Sequence, residues 1–148
     1  MNNDQEYMRL ALELAREALE NGEIPVGAIV VAGGELTAKA RNEKELRGDA
    51  TAHAEMLALQ RAAVKIGSWR LTDATMYVTL EPCPMCAGAM IQARLGRLVF
   101  GAYDPKAGAA GSVINLLDYP TLNHRVKVKS GVLAEECGQI MKDFFAAK

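Results

Sequence analysis

No apolar run in the sequence reaches the ~18 residues that a membrane-spanning helix needs, so an integral helical membrane protein is not expected. The first residues, Met1-Asn2-Asn3-Asp4-Gln5-Glu6, lack the basic and apolar stretches of a secretory signal. Cysteine is scarce: there are three in 148 residues, an odd number. A disulfide scaffold is therefore not expected, and any clustered pair points to metal or redox chemistry. Net charge is almost absent, at −1, which excludes a generally basic, sticky protein and leaves only a local basic patch to consider. Repeats, linkers and low-complexity tracts are missing. What remains, 50% hydrophobic and 24% charged, is the composition of a soluble globular domain, not of a disordered, collagenous or coiled-coil chain. The length fits one domain, residues 1–148.

Periodicity supplies the elements. Tyr7, Leu10, Ala11, Leu14, Ala15 and Ala18 form one helical stripe over residues 5–20, stopped by Asn21-Gly22. Residues 26–32 are continuously apolar, as in a doubly buried strand. Gly33-Gly34 suits a hairpin into a second strand at 36–42. Residues 43–51 have loop composition. A helix is expected over 52–66, with Met56, Leu59, Ala63 and Ile66 on one face. A strand at 75–80, a helix at 84–94, a strand at 98–102, a glycine-rich loop at 103–112, a short strand around Val126 and Val128, and a helix at 134–146 complete the chain. The strand–helix–strand steps through 75–101 imply parallel pairing, and the 26–42 hairpin is antiparallel. The expected fold is α/β, a mixed sheet with helices on both faces.

Two short motifs carry chemistry, His53-Ala54-Glu55 and Pro82-Cys83-Pro84-Met85-Cys86, and each lies where a helix is expected to begin. Cys-x-x-Cys spacing lets two thiolates share one tetrahedral ion. Pro84 suits the first helical position. A helix N-terminus favours the thiolate form. Three explanations compete: a redox pair, a structural zinc site with four protein ligands, and a catalytic zinc site with three. The inventory weighs on the choice. Cys137 falls on an apolar helical stripe with Leu133, Ile140, Met141 and Phe144, and reads as core. His124 reads as a surface histidine. His53 is then the best third ligand, with no convincing fourth. Glu55 beside such a site is the carboxylate that acid–base work on a zinc-activated water requires. Positions i and i+2 of an ideal helix point about 200° apart, so His53 has to sit at the extreme N-terminus of its helix or the helix has to be irregular there.

At these residues the chain resembles a known family. H-x-E…P-C-x-x-C is the established signature of zinc-dependent nucleobase and nucleoside deaminases. Further segments, among them Ile24-Pro25-Val26-Gly27-Ala28, Tyr77-Val78-Thr79-Leu80-Glu81, Gly108-Ala109-Ala110-Gly111-Ser112, Asn123-His124-Arg125-Val126 and Asp143-Phe144-Phe145, are similar to those of the bacterial tRNA-specific adenosine deaminases. The resemblance covers nearly the whole chain. It implies a cytidine-deaminase-like three-layer α/β/α sandwich with a five-stranded mixed sheet, a cytoplasmic homodimer, and one Zn²⁺ per subunit with no organic cofactor. The implied reaction is hydrolytic deamination of the wobble adenosine in an arginine tRNA anticodon stem-loop, giving inosine and ammonia. His53, Cys83 and Cys86 would hold zinc and Glu55 would shuttle protons. Asn42 and the Ala54 backbone would bind the flipped base. Ile24, Leu80 and Pro82 would line the pocket. Asp104, Lys106 and Phe144 would lie along the RNA surface. Ala50 and Ala107 depart from the family's usual proline and small polar residue.

The residues themselves say less about RNA than about zinc. Arg125, Lys127 and Lys129 alternate with Val126 and Val128, which fits a half-buried strand with a solvated face as well as it fits a phosphate-binding stripe. Phe144-Phe145 offers a stacking surface for a base, or Phe144 continues the Leu133–Met141 core stripe and only Phe145 is exposed. A small-molecule base or nucleoside deaminase of the same superfamily is the alternative function.

Overall fold

The computed structural model of the chain describes residues 3–147; residues 1, 2 and 148 of the expected domain lie outside them. Helix α1 (Asp4–Glu20) leads into strand β1 (Gly27–Ala32) and strand β2 (Glu35–Arg41). Gly33 and Gly34 join these strands at φ +59° and +77°, the left-handed pair that a two-residue hairpin turn requires. Next come a one-turn helix α2 (Lys44–Arg47), helix α3 (Ala54–Ile66), strand β3 (Ala74–Leu80), helix α4 (Pro84–Gln92) and strand β4 (Arg97–Ala102). A 3-10 turn at Leu116–Asp118, strand β5 (Lys127–Lys129) and helix α5 (Ala134–Ala146) close the chain.

The sheet runs β2-β1-β3-β4-β5. Its first three strands are antiparallel and its last three parallel. Side-chain alternation divides the core. Ala28, Val30, Met76, Val78, Leu98 and Phe100 face α3 and α4. Ile29, Val31, Tyr77 and Val99 face α1 and α5. The result is the expected three-layer α/β/α arrangement with a five-stranded mixed sheet. Among the described residues no helix is long and apolar enough to cross a membrane.

The structure corrects several details of the sequence reading. On α1 the buried face runs through Met8, Ala11, Leu12, Ala15 and Ala18, while Leu10 is exposed. On α3 the buried residues include Ala54, Leu57, Ala58, Leu59 and Ala62, and Ile66 is exposed. Ala54, Ala58 and Ala62 recur at i+4, and their small side chains let the helix lie close to the sheet. The loop expected at 43–51 contains α2. In β5, Val128 is exposed and Val126, just before the strand, is buried. His124 is half-buried, with Nε2 2.7 Å from the Leu95 carbonyl oxygen.

One polar cluster beneath α1 escaped the sequence reading. Asp4 is 5% exposed. It accepts hydrogen bonds from Tyr77 Oη at 2.8 Å, from both terminal nitrogens of Arg97 at 3.2 and 2.9 Å, and from Lys129 Nζ at 2.9 Å. It therefore ties the start of α1 to β3, β4 and β5. The Arg97 guanidinium, with smaller help from Lys129 and Tyr77, holds the Asp4 carboxyl well below the usual carboxylate range against the opposing effect of burial. Asp4→Asn is expected to lower unfolding stability at pH 7 by about 2–3 kcal/mol in urea denaturation, less than for a fully buried pair because both cations are part-exposed. The carboxylate's contribution is complete above its unfolded pKa of about 4 and is lost as pH falls towards the depressed folded value. The gap between variant and wild type should thus be widest at neutral pH and close progressively in acid.

Candidate active site

The C-terminal ends of the parallel strands β3 and β4 lie side by side, and the chain leaves each into a pocket-lining segment, which is where open α/β sheets place their ligand sites. From β3 it turns through Glu81-Pro82 into Cys83 and α4. From β4 it enters the 103–112 loop.

Two helix N-termini converge there. His53 is the N-cap of α3, in extended conformation (φ −75°, ψ 150°). This resolves the geometric difficulty of the His-x-Glu spacing: His53 stands outside the helix, Glu55 is its second residue, and both face the same point. Cys83 is likewise the extended N-cap of α4 (φ −76°, ψ 173°), Pro84 opens the helix, and Cys86 is its third residue. His53 Nδ1 lies 3.5 Å from Cys86 Sγ and 3.7 Å from Cys83 Sγ. All three donor atoms fall within 4.8 Å of one another. A tetrahedral zinc with bonds of about 2.0 Å to nitrogen and 2.3 Å to sulfur separates its ligand atoms by about 3.5–3.8 Å. The cluster fits such an ion in donor chemistry and in spacing. The redox reading needs neither His53 nor Glu55, yet both are held at the cysteines.

Electrostatics point the same way. The Cys83 thiol is pushed down to about 4, chiefly by its hydrogen bond with Cys86 and then by His53, against burial. The Cys86 thiol is pushed up by its contact with Cys83, then by burial and by Glu55. One thiolate is readily held and the second is opposed, so a cation is what lets both ionise. The contact with Cys83 raises the His53 pKa, against burial. Glu55 is 4% exposed, and burial pushes its carboxyl up to about 7. A carboxyl poised there exchanges a proton in either direction at neutral pH.

His53, Glu55 and Cys83 line a cavity of about 740 Å³, with the fully buried Cys86 behind them; Ile24, Asn42, Ala54, Leu80, Asp104 and Lys106 line it too. Asn42 is buried, with Nδ2 donating to the Ile24 carbonyl and Oδ1 accepting from the Lys44 amide, each at 3.3 Å. Asp104 Oδ1 accepts the amides of Lys106 and Ala107 at 3.0 and 3.3 Å, and so forms a tight turn. Two expected residues sit elsewhere. Pro82 is buried behind the wall, where its carbonyl accepts the Ala109 amide at 2.8 Å. Phe144 is 8% exposed and lines a neighbouring depression with Leu19, Ile24 and Lys44. The aromatic residue of α5 at the main cavity is Phe145, 53% exposed, beside Met141 and Lys142. The basic stripe is partly spent: Lys129 pairs with Asp4 and Arg125 with Asp118.

Sequence reasoning overlooked Tyr103 and Met141 in the lining, the buried carboxylate of Glu81 beside them, and a second buried carboxylate, Glu23, behind Ile24. Glu23 accepts the amides of Glu45 and Leu46 at 3.0 and 2.8 Å, which fastens α2 next to Ile24 and Asn42. Glu81 accepts several donors of the 103–112 loop. Burial alone would raise the Glu81 pKa, but the hydrogen bonds from Ser112, Asp104 and Ala110 outweigh it and hold it low. Glu23 directly precedes the pocket-lining Ile24 and Glu81 directly follows the pocket-lining Leu80, and that adjacency was the only local signal.

A buried carboxylate against a His/Cys/Cys cluster, on two converging helix N-termini of a three-layer α/β/α fold, defines a deaminase-type site. A model of the MafB19-like deaminase family matches residues 2–148. The tRNA-specific adenosine deaminase of Bacillus subtilis (strain 168) is 50% identical over 145 residues, 98% of this chain and 90% of that protein. A chain solved in a study of A-to-I editing by tRNA:A34 deaminases at the wobble position of transfer RNA is 43% identical, with a TM-score of 0.88 over 91% of this chain and 98% of that one. A guanine deaminase from Nitrosomonas europaea, 24% identical over 96% of this chain and 84% of its own, shares the fold at a TM-score of 0.83. The chain belongs to the tRNA-specific adenosine deaminases, within the MafB19-like deaminases.

Proposed function

We propose that residues 1–148 form one cytoplasmic deaminase domain that works as a homodimer without an organic cofactor. Its substrate is the wobble adenosine of an arginine tRNA anticodon stem-loop, which it hydrolyses to inosine and ammonia. The observation that carries this reading is the burial of Glu55 beside the cluster of His53, Cys83 and Cys86, with Glu55, His53 and Cys83 lining the cavity. The 50% identity to a tRNA-specific adenosine deaminase supports the substrate.

His53, Cys83 and Cys86 would hold one zinc ion per chain, which when bound supplies the Lewis acidity that makes water a competent nucleophile near neutral pH. Glu55 takes a proton from the attacking water and delivers it to N1 of the adenine as C6 becomes tetrahedral. It then takes the proton of the hydroxyl now on C6 and passes it to the departing amine as the C6 carbonyl forms and the C–N bond breaks, so that water is consumed and ammonia released. Its raised pKa suits both transfers. Asn42, pinned by Ile24 and Lys44, and the Ala54 backbone present hydrogen-bonding groups to the base edge. Ile24 and Leu80 exclude water. A 740 Å³ cavity accepts a base turned out of a single-stranded loop, and the Asp104–Lys106 turn and Phe145 border its mouth. At a net charge of −1, recognition rests on loop shape and stacking more than on bulk attraction to phosphate.

The test offers the protein an anticodon stem-loop with adenosine at the wobble position and, separately, free adenosine, guanine, cytosine and cytidine. Inosine and ammonia are expected from the stem-loop and no turnover from the rest. Turnover confined to a free base or nucleoside would reassign the substrate and leave the chemistry of Glu55 in place. A panel of stem-loops from other tRNAs reads the arginine preference, and light scattering reads the dimer.

A further inference from the structure

Glu81 is 2% exposed and forms no ion pair among the described residues, yet it is among the most heavily hydrogen-bonded side chains of the protein. Its Oε1 accepts the Asp104 amide at 2.9 Å and the Ser112 hydroxyl. Its Oε2 accepts the amides of Ala110 and Ser112, each at 3.0 Å. Every one of these donors belongs to the loop that leaves β4. One donor, the Asp104 amide, opens the Asp104–Ala107 turn and three stand after it, so the carboxylate gathers both feet of the turn that walls the cavity. Gly108, between them, passes so close that a Cβ there would run into the carboxylate itself. The loop is thus wound round a buried anion whose charge is met by amide and hydroxyl dipoles alone. Glu55, by contrast, sits on α3 and makes none of these contacts.

We propose that Glu81 is a positioning residue that sets substrate affinity by holding the Tyr103–Ala107 wall in its binding shape, an inference that rests on the tRNA reading for its substrate. Only a carboxylate offers acceptor lone pairs on both oxygens at once. Glutamine in its place turns an NH2 towards at least one N–H or O–H donor and leaves that donor unpaired. Aspartate is one methylene too short to reach the same donors.

The experiment compares the zinc-loaded full chain with Glu81→Gln and with Ser112→Ala, which removes one donor from an exposed residue and leaves the backbone intact. Three quantities are read: zinc content, amide hydrogen exchange across 104–112 without substrate, and kcat and KM on the wobble-adenosine stem-loop. In Glu81→Gln full zinc, faster exchange confined to the loop and a KM raised about tenfold are expected, the scale of one buried donor left unpaired, with kcat nearly unchanged. Ser112→Ala should move exchange and KM the same way by a smaller factor. Unchanged exchange and KM, or a loss of zinc that lowers kcat at constant KM, would overturn the proposal. Should Glu81→Gln not fold, unchanged exchange in Ser112→Ala would overturn it as well. Should the wild type fail to turn over the stem-loop, the tRNA reading falls, and loop exchange in the two variants still decides what Glu81 does.

Discussion

Glu55→Ala is expected to keep its zinc and its fold and to lose deaminase turnover by about 10²–10⁴-fold, the range for removing a positioned acid–base group. The upper end is the better expectation, because one carboxyl handles the proton of the water, of the ring nitrogen and of the leaving amine in turn. The variant should not lose stability. Burial opposes the ionised form of this side chain, which is why its pKa stands near 7, and alanine removes that penalty at neutral pH. Metal analysis, thermal unfolding and single-turnover kinetics on one preparation give a clear pattern: full zinc, an equal or higher Tm, and no burst of inosine. A near-normal rate would sink the proton-shuttle role. A loss of zinc would place Glu55 among the groups that support the metal instead.

Cys86→Ala should lose metal and activity together. Its thiol is fully buried at the third position of α4 and faces His53 Nδ1 at 3.5 Å. Alanine leaves a two-ligand site, which does not retain zinc against dilution or a mild chelator. Turnover is then expected at background. Two losses of stability add: a small core cavity, about 1 kcal/mol, and the linkage energy of a bound ion. Treating the wild type with a chelator should reproduce the second loss and not the first. The difference in Tm between chelated wild type and Cys86→Ala therefore isolates the packing contribution. Stoichiometric zinc in this variant would refute the ligand assignment. A wild-type protein that purifies without zinc and forms a Cys83–Cys86 disulfide would revive the redox reading.

Much of the active site was legible before folding because its spacing is local. His53 and Glu55 are two residues apart, and Cys83 and Cys86 three. Pro84 marks a helix start and the chain holds only two histidines. These facts turn a search over the whole chain into a choice among three ligands. The strands were legible for the same reason: apolar runs and a Gly-Gly turn write their own boundaries. The helix faces were less so. On α1, periodicity put Leu10 and Leu14 on the inner stripe, whereas packing against the sheet buries Met8 and Leu12, leaves Leu14 half-buried and exposes Leu10. Phe144 and Phe145 are adjacent residues of one helix, and the packing of α5 decided which one is buried and which one reaches the cavity.

The sequence by itself determined the class of chemistry and the layered α/β plan, because zinc-ligand spacing, helical periodicity and strand patterning act over a few residues. Tertiary structure alone decided what holds that chemistry in place. Asp4 meets Lys129 across 125 positions, Glu23 meets Leu46 across 23, and Glu81 meets Ser112 across 31. In the sequence each is an acidic residue at the edge of an element, where acidic residues are ordinarily solvated. Each became a buried anchor because backbone amides and cations from distant segments converge on it. That convergence follows from the order in which the sheet stacks its strands, which no local window of the chain contains.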